Sequence, residues 1–164
     1  MLKYLIWGEV KMAEKQYVVF KLGKEDYGID IMNVKEIGPY QESVKLPNAP
    51  SFIEGIINFR DRVIPIINLK KRFNLIDEGV TNDTRIIIIN LGERQVGFVV
   101  DEASQTVRLD DKNIDPTPDI ISKIERRYIT GVGKLDEKRL LILIDLEKVL
   151  SDEEKEEIGN MELK

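Results

Sequence analysis

The feature that most constrains this chain is a duplication. Leu22-Gly23-Lys24-Glu25-Asp26-Tyr27-Gly28 and Leu91-Gly92-Glu93-Arg94-Gln95-Val96-Gly97 share one plan: Leu-Gly, three polar residues, one apolar residue, then Gly. Each stands between two apolar runs. The first glycine supplies a turn with positive φ at no steric cost, and the second permits close backbone approach or a bulge. A second pair follows in the same order. Phe52 to Asn58 leads through a charged turn to Val63-Ile64-Pro65-Ile66-Ile67-Asn68-Leu69, and Tyr128 to Lys134 leads through another to Leu140-Leu141-Ile142-Leu143-Ile144-Asp145-Leu146. Asn68 and Asp145 are residue types that cap a following helix. Two repeats in matching order predict two similar β-barrels of about 70 residues each, a size at which closing the sheet removes its edges.

Short apolar runs separated by turn residues make this a mostly β chain. Ile86 to Ile89 and Leu140 to Ile144 are apolar without alternation. A strand apolar on both faces has to be covered on both. Ile86, Ile88, Leu141 and Leu143 are therefore expected where the barrels meet. Pro65 predicts an edge or bulge position for its strand. Helical signals are few: Met32 to Ile37, Leu69 to Phe73 and Leu146 to Leu150. Ser151 with Glu154 makes a capping box that opens a charged C-terminal helix or tail over 152–164. The polar stretch Asn74 to Asp83 reads as the boundary between halves. The expected division is an N-terminal extension over 1–13, outside the fold, and one domain over 14–151. The first barrel takes about 14–84 and the second about 85–151, with exchange of strands between them left open.

The residue inventory narrows the chemistry. The 164 residues include no His and no Cys, and the formal net charge is −5. The usual general base, the commonest metal ligand and all thiolate chemistry are missing, and an intracellular address fits. No nucleic acid is expected as partner, because phosphate binding needs clustered Lys and Arg; this also disfavours an OB-type barrel. Gly131-Val132-Gly133-Lys134 fails as a phosphate loop, with Tyr at 128 and Leu at 135. Asp110, Asp111 and Asp115 lack the spacing and internal Gly of a calcium loop. Asp101-Glu102 follows a strand end and suits the capping of a turn. Neither a catalytic residue, nor a metal site, nor a cofactor is expected. No apolar stretch reaches the roughly 18 residues that cross a bilayer, so no direct membrane contact is expected. Lys70-Lys71-Arg72 and Lys123, Arg126 and Arg127 are modest basic clusters, surface by default or suited to an acidic partner.

Gly55-Ile56-Ile57-Asn58-Phe59-Arg60-Asp61-Arg62-Val63-Ile64-Pro65-Ile66-Ile67-Asn68-Leu69 resembles the signature hairpin of the CheW family, and Val96-Gly97-Phe98-Val99-Val100-Asp101 resembles its second-half strand. The likeness runs from about Gln16 to Glu154. Phe59 stands for the usual Leu, Asn68 for the usual Asp, and Asp61 for the usual turn Gly.

The resemblance implies two intertwined five-stranded SH3-like barrels on a common hydrophobic core, with short helices and a C-terminal helix. It implies a non-catalytic adaptor of bacterial chemotaxis, cytoplasmic, recruited to receptor arrays at the inner membrane, and a monomer when free. Its implied partners are the regulatory domain of the histidine kinase CheA and the cytoplasmic tip of chemoreceptors. The receptor groove then falls on Ile29, Val34, Glu36, Gly55, Ile57, Asn58, Arg60 and Arg62, and the kinase contact on Tyr128, Val132 and Leu135. Arg60 and Glu36 are expected to form an ion pair at the rim of the groove, fixing the turn against Ile37. The competing reading is a small β-barrel ligand-binding or enzyme module of another family.

Overall fold

Residues 14–119 and 126–161 are described by the computed structural model; the expected N-terminal extension and Lys123 lie outside them. Four hairpins form where the apolar runs and turns predict them. They are β1 (Lys15–Leu22) with β2 (Glu25–Asp30), β4 (Gly55–Phe59) with β5 (Arg62–Asn68), β6 (Arg85–Leu91) with β7 (Arg94–Val100), and β10 (Ile129–Lys134) with β11 (Leu140–Ile144). Three more strands complete the sheets: β3 (Glu36–Pro39), β8 (Glu102–Leu109) and the two-residue β9 (Ile114–Asp115).

The sheets do not follow the two halves of the chain. One has the order β3-β6-β7-β5-β4 and the other β8-β1-β2-β11-β10-β9. The first is built wholly from residues between Glu36 and Val100. The second takes β1 and β2 from before that segment and β8 to β11 from after it. One barrel, here the inserted barrel, is thus threaded between the strands of the other, the split barrel. A cut near residue 84 is therefore not a barrel boundary. Asn74 to Asp83 joins β5 to β6 inside the inserted barrel, and the true crossings lie between β2 and β3 and between β7 and β8. Polar composition marks a solvated loop equally in either place. The split sheet also has six strands where five were expected.

The repeat is nevertheless real in space. Gly23 and Gly92 turn the two hairpins with φ of 64° and 66°. Gly28 lies beside Leu143 in the parallel pairing of β2 with β11, and Gly97 lies beside Ile66 in that of β7 with β5. A Cβ on Gly28 would stand 2.9 Å from the Leu141 and Leu143 side chains, and one on Gly97 2.7 Å from that of Ile66. Each second glycine therefore lets the apolar side chains of the neighbouring strand lie flat across it. Asn68 and Asp145 cap as expected, accepting bonds from the Lys71 and Glu147 amides.

Strand alternation sorts the apolar residues into three clusters. The largest lies between the sheets and joins Val18, Phe20, Leu22, Ile29 and Ile144 of one to Ile67, Ile87, Ile89, Phe98 and Val100 of the other. Ile86 and Ile88 are buried on the opposite face, inside the inserted barrel with Ile57, Ile64 and Ile66. Leu141 and Leu143 are buried inside the split barrel with Tyr17, Val19 and Leu109. The four residues expected at the junction are thus one step out of phase. The junction is made by Ile87, Ile89 and Ile144, because adjacent side chains of a strand take opposite faces.

Pro65 sits in β5 between β7 and β4, neither at an edge nor at a bulge. The Glu54 amide bonds to the Ile66 carbonyl, so residue 66 addresses β4 and residue 65 addresses β7. The ladder with β7 begins only at Ile66, so the missing Pro65 N–H costs no ladder bond. Met32 to Ile37 is not helical throughout. Ile31–Asn33 forms one 3₁₀ turn capped by Asp30, and β3 starts at Glu36.

Helix α1 (Leu69–Arg72) follows β5, and a 3₁₀ turn (Leu146–Val149) follows β11. Helix α2 (Asp152–Gly159) opens on the expected Ser151–Glu154 capping box. It is a docked element, not a solvated tail. Ile158 is fully buried in the shared core, and Glu154 accepts a bond of 2.7 Å from Arg72 Nη1. A single apolar residue on an otherwise charged helix is enough to choose the buried face.

Candidate functional site

The turn between β4 and β5 is a two-residue loop. Phe59 pairs with Arg62, and Arg60 and Asp61 both take positive φ, 51° and 64°. That is the backbone of a type I′ turn, which suits the twist of a tight hairpin and normally selects Asn or Gly. Asp tolerates the conformation better than most residues, but Arg does so at a cost. What stands against that cost is visible in the side chains. Arg60 Nη2 donates to Glu36 Oε2 at 2.6 Å, and its Nε reaches Oε2 at 2.9 Å and Oε1 at 3.1 Å. This forked geometry is what a guanidinium offers a carboxylate. The hydrogen bond and the charge of Glu36 hold the Arg60 pKa above its ordinary value.

The position of this pair explains its use. Glu36 opens β3 and Arg60 follows β4, and these strands are the two opposite edges of the inserted sheet. The ion pair spans the seam where the sheet closes. The Phe59 ring lies against Gly38, where a Cβ would come within 2.8 Å of Cε1. Farther along the seam Val44 forms a backbone bridge to Ile56, and a Cβ on Gly55 would meet the Ser43 hydroxyl at 2.5 Å. The turn is thus held against Gly38 and not against Ile37, whose side chain packs on the shared core.

The structure divides the remaining expected groove residues. Val34 lies half-buried on a groove of about 460 Å³ between the barrels, with Met32, Lys35, Ile89, Leu146 and Glu147 around it. Ile29 is fully buried and belongs to the core beneath this groove. Gly55 and Ile57 face inward, Ile57 into the inserted barrel, so neither lines a groove; half-exposed Ile56 takes the outer side. Asn58 is exposed beside the turn. Arg62 is exposed in a separate cleft with Asp61, Glu93 and Gln95. Because Val34 and Glu36 are two residues apart, the inter-barrel groove and the ion pair adjoin at the start of β3.

Tyr128, Val132 and Leu135 are not brought together. The Tyr128 ring stacks on Phe73 at 5.1 Å, in a series that continues through Tyr27 to Phe20. Leu135 packs on the interior of the split barrel. Val132 is half-exposed on the other face of β10 from Gly131 and Gly133, both of which are buried.

The Lys70-Lys71-Arg72 cluster is committed internally. Lys70, its side chain only 7% exposed, pairs with Asp101 at 3.0 Å. Lys71 pairs with Glu54 at 2.9 Å, and Arg72 holds Glu154 and the Val149 carbonyl. Asp101 also accepts a 2.7 Å bond from the Gly23 amide. It does cap a turn, but one in the other barrel, 78 residues away in sequence. The pattern of charges alone gave no signal for these partners. Among the described residues no group of three or more His, Cys, Asp or Glu is placed to hold a metal ion, and no helix is long and apolar enough to cross a membrane.

Known proteins resemble this chain over most of its length. A family model described as the CheW-like domain matches residues 16–154. The chemotaxis protein CheW of Klebsiella aerogenes is 41% identical over 149 residues, covering 90% of this chain and 88% of that protein. The chemotaxis protein CheW of Treponema pallidum is 36% identical over 150 residues, covering 89% and 88%. The crystal structure of the scaffolding protein TtCheW from Thermoanaerobacter tengcongensis matches with a TM-score of 0.74 at 37% identity, covering 84% of this chain and 88% of that one.

Proposed function

This chain belongs to the CheW-like family, and from that premise we propose that it is a chemotaxis adaptor, joining the cytoplasmic tip of chemoreceptors to the histidine kinase CheA without catalysing a reaction. The observation that carries this reading is the near end-to-end match to chemotaxis proteins of that name and to a solved scaffold. The geometry supplies a physical route. The groove beside Val34 draws its lining from both barrels, with Met32 and Val34 as its accessible apolar side chains and Asn33, Lys35, Asn90 and Glu147 as polar ones. That mixture can take an amphipathic helix. The Glu36–Arg60 pair holds the rim of that groove in one shape. Kinase docking falls to the split barrel through Val132 and its neighbours on β10, with Tyr128 left to its packing role. An adaptor of this kind joins receptor arrays at the inner membrane through its partners.

Cosedimentation of the chain with a receptor tip fragment and the CheA regulatory domain tests the proposal. A ternary complex is expected. Exchanging the charges, Glu36→Arg with Arg60→Glu, should restore part of the receptor binding that either change alone removes. Failure of the unaltered chain to bind either fragment overturns the adaptor reading.

A further inference from the structure

Met32 is the most exposed large apolar residue of the described chain. Its accessibility is 85%, against half-buried for Met161. It sits in the 3₁₀ turn Ile31–Asn33, with its own amide held by Asp30 Oδ1 at 3.0 Å. The backbone is therefore fixed while the thioether stands free on the lip of the inter-barrel groove, with half-buried Val34 and the polar Asn33, Lys35 and Glu147 beside it. An unbranched, polarizable side chain in that place adapts to the surface of a partner helix. The chain has no cysteine, so its sulfur chemistry rests on four methionines.

We propose that Met32 is an oxidation-sensitive contact of the groove, and that its conversion to the sulfoxide weakens receptor docking. This rests on the adaptor reading of the same groove. The oxidant is a peroxide. A lone pair on the thioether sulfur takes one peroxide oxygen and the O–O bond breaks. With hydrogen peroxide the other oxygen leaves as water. The sulfur is oxidised by two electrons and the peroxide is reduced by two. The product replaces an adaptable apolar side chain with a bulkier polar S=O group, which no longer packs against the apolar face of a partner helix.

The test treats the full chain with dilute hydrogen peroxide, locates the sulfoxide by peptide mass spectrometry, and measures binding of a receptor tip fragment before and after. Met32 should oxidise ahead of Met161, and binding should fall on the order of tenfold, the scale of setting one polar group against a partner's apolar side chain. Met32→Leu, whatever its starting affinity, should keep that affinity through peroxide treatment, while Met32→Gln should be weak without treatment. Melting temperatures should stay together, since the side chain is exposed. Equal binding before and after stoichiometric Met32 oxidation overturns the proposal, as does equal peroxide sensitivity in Met32→Leu. If untreated wild type binds no receptor fragment, the adaptor reading fails instead.

Discussion

The hairpins β4–β5 and β10–β11 occupy equivalent places, yet they treat their arginines differently. Arg62 and Arg139 stand at matching positions, four residues before Ile66 and Leu143, which lie beside Gly97 and Gly28. In the split barrel Arg139 reaches Asp26 on the neighbouring strand at 3.0 Å, and Asp136 ties the turn by accepting from the Lys138 and Arg139 amides. In the inserted barrel the residue matching Asp26 is Gln95, and Arg62 makes no ion pair among the described residues. There the turn is two residues long, strained by positive φ, and fastened through Arg60 to the opposite edge strand. One hairpin is satisfied within its own sheet. The other uses its charge to close a seam between the two edge strands of its sheet.

The largest expected effect tests whether the barrels share one core. Phe98→Ala removes a fully buried ring from the junction and should cost about 3–5 kcal/mol. Chemical denaturation should show one transition for the whole chain, read by both barrels together. Two separate transitions would break the view that the junction unites them.

Next in size are the paired glycines. Gly28→Ala and Gly97→Ala each press a methyl against side-chain carbons at 2.9 Å and 2.7 Å. Each should destabilise by about 1–3 kcal/mol, the usual cost of overpacking. Similar losses in urea melts would sharpen the structural equivalence of the barrels, and a tolerant site in one would show that its parallel pairing is looser.

Smaller, and dependent on pH, is the pair Arg139–Asp26. Burial alone would raise the Asp26 pKa, but hydrogen bonds and charge from Arg139 and Lys21 outweigh it and leave the carboxyl below its ordinary value. A carboxylate depressed in the folded state stabilises above its unfolded pKa of about 4, and that contribution is lost as pH falls through the folded value. Asp26→Asn should therefore be less stable than wild type at neutral pH, and the gap should narrow below about pH 4. A gap that is constant with pH would mean that Asp26 acts by packing alone.

These contrasts also mark what the chain revealed before it was folded. The four hairpins, both caps and the Ser151 capping box were legible because each depends on neighbours within a few residues. The phase of β6 was not, since Ile86 to Ile89 carries no alternation to say which pair faces which core. The nesting of one barrel in the other was hidden because matching repeats fit sequential or exchanged strands equally well. Partners of Lys70 and Arg72 lie 31 and 82 residues away, beyond any local pattern. The Glu36–Arg60 pair was anticipated through family likeness, whereas the inward turn of Gly55 and Ile57 required the register.

The smallest expected change in stability comes with the sharpest functional contrast. Arg60 carries two burdens, a left-handed backbone and the bond to Glu36. Arg60→Ala removes the bond and keeps the strain, because alanine also resists positive φ. Arg60→Gly removes both, since glycine takes that conformation freely. The glycine variant should therefore melt at least as high as the alanine variant, and close to wild type, because an ion pair with an exposed arginine adds little to stability. Both should lose receptor assembly alike if the pair's role is to hold the rim of the groove. Arg62→Ala, which breaks no pair, should keep both melting and assembly. If Arg60→Gly assembled normally while Arg60→Ala did not, the turn's backbone rather than the ion pair would be the feature that receptors require. The contrast between the two hairpins would then reduce to one of loop length.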